Sequence, residues 1–156
     1  MMEIKIPGWG NMEVEQIVLD MNGTLASDGR VSAEVKKMIN SLSEKVKIYV
    51  LTADTQGTAG EEVRGMNAEL VKVPEEDSAN GKFKFLKTIT PETTVAIGNG
   101  SNDQFILKEA GLAIAVLGDE GISVFAMRHA DIVVKDISDA LNLFLKPKRL
   151  VATLRE

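Results

Sequence analysis

The 156-residue sequence has no cysteine, one histidine, one tryptophan and one tyrosine. Without cysteine there is neither a disulfide framework nor a thiolate metal site. A lone histidine, His129, excludes the His clusters that hold zinc and is read as a surface residue at a helix end. No apolar run approaches the roughly 18 residues of a membrane span. Met1 to Pro7 lacks the basic region and apolar stretch of a signal peptide, so a cytoplasmic protein with no membrane partner is expected. Positive charge is also scarce: 18 Lys and Arg face 23 Asp and Glu, a net −5, and nucleic acid is not an expected partner. The modest basic cluster at Lys146, Lys148, Arg149 and Arg155 reads as a solvated helix face. No repeat, low-complexity tract or linker interrupts the chain, and residues 1–156 are read as one domain, long enough to bury a core.

What the sequence does have is alternation. Met2 to Ile6 alternates apolar and polar residues, Pro7-Gly8-Trp9-Gly10 breaks the chain, and Met12 to Leu19 resumes. This predicts an N-terminal β-hairpin whose second strand runs on to Asp20, with Trp9 plugging the turn. Ser32 can cap a helix carrying Val35, Met38, Ile39 and Leu42 on one face. Strands are then predicted at Val46–Leu51, Glu69–Val73, Thr94–Ile97, Leu112–Val116 and Ile132–Val134. Between them lie helices from about Gln56 to Gly65, Ala79 to Thr88, Asn102 to Ala110 and Ser123 to Arg128. A last helix opens at Asp136 and breaks at Pro147. Strands separated by helices imply crossovers and a mostly parallel sheet, an α/β architecture.

The apolar run Val14 to Leu19 ends in Asp20-Met21-Asn22-Gly23-Thr24. An acid where a buried strand spills into a Gly turn stands at the carboxyl edge of the sheet, where open α/β folds bind ligands. Gly23 lets backbone N–H groups converge on an anion, and Thr24 adds a hydroxyl. Three further stretches follow in order: Val50-Leu51-Thr52-Ala53-Asp54, Lys82, and Gly98-Asn99-Gly100-Ser101-Asn102-Asp103.

Together these four parts resemble the haloacid dehalogenase-like superfamily of phosphatases and P-type ATPases, and in particular its small soluble P-type ATPase-like members, in which Asn replaces Asp in both acidic motifs. The resemblance implies a three-layer Rossmann-like fold. It implies Asp20 as nucleophile, Thr52 and Lys82 as phosphoryl-holding residues, with Gly23, Thr24 and Ala53 lining the phosphate site. Lys84 and Lys87 stand as alternatives to Lys82. It further implies Mg²⁺ held by Asp20, Asn22, Asn99 and Asp103. Asn99 stands where the superfamily normally has Asp, so one anionic ligand is missing. Asn22 stands where its phosphatases have the general acid and base, a contribution typically worth about 10²–10⁴-fold. The gaps from Thr24 to Thr52 and from Thr52 to Lys82 leave no room for a cap domain, so the site is expected to be capless and open.

The first functional reading is a slow, Mg²⁺-dependent phosphatase acting on a phosphorylated small molecule or phosphoprotein through a phospho-Asp20 intermediate. The second is a weak or inactive module that binds a phosphoryl ligand or a protein through the same loops. A receiver domain of two-component signalling ranks below both, because here the candidate Asp ends the strand that opens the core. The tail residues Leu150, Val151 and Leu154 suggest a homo-oligomer that covers the site. Asn22-Gly23 and Asn99-Gly100 are also dipeptides prone to deamidation in flexible chains.

Overall fold

The computed structural model describes residues 1–54 and 57–156. Strands β1 (Met2–Ile6) and β2 (Gly10–Val14) form an antiparallel pair of their own. Chain continuity into β3 (Gln16–Asp20) is as the sequence suggests, but the pairing divides at Glu15, and β3 belongs to a different, six-stranded sheet. Trp9 N–H closes the hairpin turn on Ile6 O at 3.1 Å, and its side chain packs on the main core.

After β3 come α1 (Ala33–Leu42), β4 (Lys47–Thr52), the short α2 (Thr58–Glu62) and β5 (Glu69–Lys72). The N-terminal end predicted for α2, at Gln56, lies outside the described residues. Next are α3 (Ser78–Leu86), β6 (Thr94–Gly98), a 3₁₀ turn at Ser101–Asp103 and α4 (Gln104–Glu109). The chain ends with β7 (Leu112–Val116), α5 (Val124–Met127), β8 (Ile132–Val134), α6 (Ile137–Leu145) and α7 (Pro147–Leu154). Three helices among the described residues start on side-chain caps: Ser32 Oγ accepts from Val35 N, Ser123 Oγ from Phe125 N and Asp136 from Asp139 N.

All neighbours in the large sheet are parallel, in the order β5-β4-β3-β6-β7-β8. Numbered from β3, that is 3-2-1-4-5-6, the doubly wound order with its switch point between β3 and β6. A receiver has the order 2-1-3-4-5. The topology therefore removes that alternative.

The two-residue strand period divides the core. Ile17 and Leu19 of β3 pack with Val35, Ile39 and Leu42 of α1, with Leu141 and Phe144 of α6 and with the hairpin. Val18 points the other way, into a second cluster with Leu86 of α3, Ile106 and Leu107 of α4 and Ala126 of α5. Asp20 continues the parity of Val18 and so emerges on the α3 side.

The tail is not the free apolar surface that the sequence suggested. Leu150 is fully buried, Val151 and Leu154 pack against the core, and Glu156 N–H donates to Pro7 O at 3.0 Å. Truncating Leu150 to Ala should leave a cavity and lower unfolding stability by roughly 2–5 kcal/mol, read from urea denaturation. A loss under about 0.5 kcal/mol would show that the tail is not part of the core.

Candidate active site

The site is built at the switch point. Asp20 is the last residue of β3, and Met21 N–H donates to Leu51 O at 3.0 Å, carrying the β3–β4 pairing one step past it. The loop then winds tightly: Leu25 N–H bonds Asp20 O at 3.2 Å, Ala26 N–H bonds Met21 O at 2.9 Å and Gly23 N–H bonds Ala26 O at 3.0 Å. Gly23 has φ +78°, a conformation that a side chain disfavours.

Lys82 is the largest fully buried side chain, 1% exposed. It shares the inner face of α3 with Leu86, one turn away, as an i,i+4 pair does. Its Nζ donates to Asp20 Oδ1 at 2.6 Å and to Asp103 Oδ1 at 2.7 Å. Lys84 and Lys87 are exposed, and Lys87 lies over the Phe83 ring. Of the three lysines that the sequence left open, Lys82 is the one that reaches Asp20.

Asp103 is completely buried and fully engaged. One oxygen takes Lys82; the other accepts from Asn99 N and Gly100 N, both at 3.0 Å. Gly98 makes this possible, since a Cβ there would sit 2.5 Å from Asp103 Cγ. The Asp103 carboxylate thus anchors the lysine and the 98–100 turn.

Thr24 Oγ1 lies 3.3 Å from Asp20 Oδ2 and 3.0 Å from Asn99 Oδ1. A hydroxyl has one hydrogen, so it cannot serve both oxygens. An anionic oxygen, Asp20 Oδ2, and an amide oxygen, Asn99 Oδ1, thus gather at one hydroxyl on the loop that also carries exposed Asn22. Hard oxygen donors of this kind fit Mg²⁺. Among the described residues no group of three His, Cys, Asp or Glu side chains forms a ready cation cage, so a metal here depends on mixed carboxylate, amide and carbonyl oxygens.

Thr52, at the end of β4, is buried and accepts from Asp54 N at 3.0 Å, which leaves its own hydrogen to donate. Ala53 follows it, half-buried. Asp54 turns away to accept from Ala59 N at 2.8 Å at the start of α2.

Set against known proteins, the chain matches no family model. An uncharacterized protein of Methanocaldococcus jannaschii is 48% identical over 79 residues, covering 48% of this chain and 85% of that one. A soluble P-type ATPase-like phosphatase of the same organism is 24% identical over 145 residues, 89% of this chain but 52% of that protein. In structure, the 3-deoxy-D-manno-octulosonate 8-phosphate phosphatase of Moraxella catarrhalis, solved with magnesium, phosphate and the sugar acid, superposes with TM-score 0.72 at 15% identity, over 91% of this chain and 94% of that one. A phosphatase of the HAD superfamily from Bacteroides thetaiotaomicron gives TM-score 0.66 at 13% identity, over 91% and 96%. The fold is that of haloacid dehalogenase-like phosphatases.

At this site two carboxylates share one ammonium. Burial pushes the Asp20 carboxyl up to about 7, the Asp103 charge adds to the rise, and Lys82 and Thr24 only partly oppose it. Burial pulls Lys82 down, but the two carboxylates more than offset this and its pKa ends above the usual lysine value. With all three ionised, the centre carries one uncompensated negative charge, which a divalent cation would reverse.

Two features were not foreseen. The segment 117–123 folds over the Gly23 side of the site; Ser27 Oγ donates to Asp119, and Asn99 Nδ2 donates to Gly121 O at 3.2 Å. Its only sequence signal is the pair Gly118 and Gly121 after β7, both with positive φ. Beside it, a cavity of about 400 Å³ is lined by Thr24, Ser27, Arg30, Asp119, Glu120 and Lys135 among others. The expected ease of deamidation also gives way. Gly23 N–H and Gly100 N–H are both hydrogen-bonded, and that nitrogen is the one that must attack the Asn side chain.

Lys82→Met should cost about 3–5 kcal/mol, because it strands two buried carboxylates; chemical denaturation reads this. The raised Asp20 pKa sets a sign for pH dependence. Between the unfolded value near 3.8 and the folded value near 7 the folded chain holds the extra proton, so without metal this group's contribution to stability falls as pH rises through that window. Melting curves in chelator from pH 4 to 8 should show that fall, and Asp20→Asn should flatten it.

Proposed function

We propose that this chain is a metal-assisted phosphohydrolase of small phosphomonoesters, working through a phospho-aspartate on Asp20. The observation that carries the reading is the buried Asp20–Lys82–Asp103 arrangement at the switch point of the sheet, with Thr52 beside it. A lysine buried between two acids is costly to desolvate, and perturbed charge clusters of this kind gather at functional sites.

The residues divide the work. Lys82 holds Asp20 in place and offers its positive charge to the phosphoryl oxygens, while Thr52 donates its free hydroxyl hydrogen. Gly23 and Thr24 shape the anion-facing loop, with Ala53 on the opposite rim. Asp20 Oδ2, Asn99 Oδ1 and the Asn22 carbonyl are the oxygens suited to Mg²⁺, which supplies charge neutralisation for the phosphate when bound. An Asp20 oxygen attacks phosphorus and the ester P–O bond breaks. The leaving alkoxide takes its proton from solvent, because the Asn22 amide has no exchangeable acid proton. Water then attacks the acyl phosphate, releasing inorganic phosphate and restoring Asp20. The cavity by Thr24, with Arg30 and Lys135 in its wall, has room for a polar leaving group.

Nothing resembling a domain-sized cover lies between Asp20 and Lys82 among the described residues: the elements there are α1, β4, α2 and β5. We take the site to be capless. A second reading, a module that binds a phosphoryl ligand without turnover, draws on one observation: position 22 carries an exposed amide in place of an acid.

Mg²⁺ with a panel of phosphomonoesters separates the two. Asp20→Asn should abolish both phosphate release and Mg²⁺-dependent beryllofluoride binding; undiminished release would rule out the aspartyl-phosphate route. Asn22→Asp should raise turnover by about 10²-fold or more by restoring the acid–base group. If that variant folds and is no faster than the parent, the amide is not the brake and the binding module gains.

A further inference from the structure

We propose that Glu120 supplies the carboxylate that Asn99 lacks, placing a second anionic group on the cation side of the Asp20 site. The inference rests on the metal-assisted reading above.

The loop carrying Glu120 is fastened to the site from several directions. At its base Leu117 N–H and Gly118 N–H donate to Val134 O and Lys135 O at 2.9 and 2.8 Å. Gly118 presses on the nucleophile loop: a Cβ there would lie 3.1 Å from Gly23 O. Beyond Glu120, Gly121 O accepts from Asn99 Nδ2 at 3.2 Å, and Ser123 N–H donates to Asn99 O at 2.8 Å. Residue 120 is therefore held between a contact with the Asp20 loop and two with Asn99.

Glu120 is exposed, yet its carboxylate lies against Gly23. A Cβ on Gly23 would collide with Glu120 Oε2 and lie 2.8 Å from Asn99 Nδ2, so the acid and the amide border the same small space. None of the ion pairs among the described residues involves Glu120. Its charge is not committed to a basic side chain.

The amide at 99 is then part of the arrangement. Its Nδ2 donates to Gly121 O while its Oδ1 faces Thr24 and the cation space. An Asp could do the second but not the first, and it would set a carboxylate against both the Gly121 carbonyl and Glu120. The chemistry points to an exchange in which the neutral residue at 99 ties down the loop and the loop returns the negative charge. Gly23 is required for this in a second way, because any side chain there would occupy the place where the Glu120 carboxylate rests.

Mg²⁺ binding to the full chain, measured by calorimetry, tests the exchange without reference to turnover. Glu120→Gln should weaken Mg²⁺ binding by about 10–100-fold, the size seen when a supporting group of a metal site is lost. Glu44→Gln, a distant exposed acid, should leave it unchanged. Asn99→Asp alone should not tighten binding, yet in the Glu120→Gln background it should recover affinity, since one carboxylate replaces the other. Glu120→Ala, which keeps no polar group, should match Glu120→Gln. If Asp20→Asn loses Mg²⁺ binding while both Glu120 variants bind like wild type, the metal site stands and the role of Glu120 is overturned. Equal tightening by Asn99→Asp in both backgrounds would overturn that role too. A wild-type chain that binds no Mg²⁺ overturns both this inference and the reading beneath it.

Discussion

A lysine ammonium buried between two carboxylates organises the site. Lys82 cannot lie where it does unless Asp20 and Asp103 meet it, and neither acid could be buried without it. Each partner comes from a different element: the end of β3, the inner face of α3 and the turn after β6. The three must pack in register for the charges to touch. The Asp103 oxygen left over from Lys82 fastens the 98–100 turn, which positions Asn99 and, through it, the 118–123 loop. One electrostatic contact thereby ties together the end of β3, the inner face of α3 and the 98–100 turn, and through Asn99 the 118–123 loop.

With all three groups ionised, that contact is left one positive charge short of neutral. A buried site with surplus negative charge repels the phosphate dianion it would serve, unless a cation enters first. Burial first, and the Asp103 charge second, raise the Asp20 pKa, so the same carboxylate also favours a proton. In the proposed metal-assisted reading, metal and proton would compete for this one carboxylate, linking stability, pH and cation binding in a single group.

The asparagines at positions 22 and 99 differ in kind. Asn22 is exposed on the loop after Asp20 and its side chain anchors nothing that the structure describes, so in the proposed reaction its amide would change only the chemistry offered to a leaving group. Asn99 is buried and uses both ends of its amide, one toward Thr24 and one toward Gly121. Replacing it with an acid would alter the loop as well as the charge.

Much of this was legible from order and periodicity. The apolar runs, their spacing by helices and the acid at the end of the Val14–Leu19 run determined an α/β fold with Asp20 at the sheet edge, because strand and helix periods are local properties of the chain. The four-part motif order named Asp20, Thr52, Lys82 and Asp103. Contacts between distant segments were not legible. Which of three lysines faces Asp20 depends on the rotation of α3 against the sheet. Asp103 becomes an anchor because Gly98 lets it fold back on its own turn. The tail is inside because Leu150 finds a place in the core, which no local pattern in Leu150, Val151 and Leu154 could reveal. Glu120, in a Gly-flanked loop about a hundred residues from Asp20, carries no signal of its own, and only the packing of Gly118 on Gly23 brings it to the site.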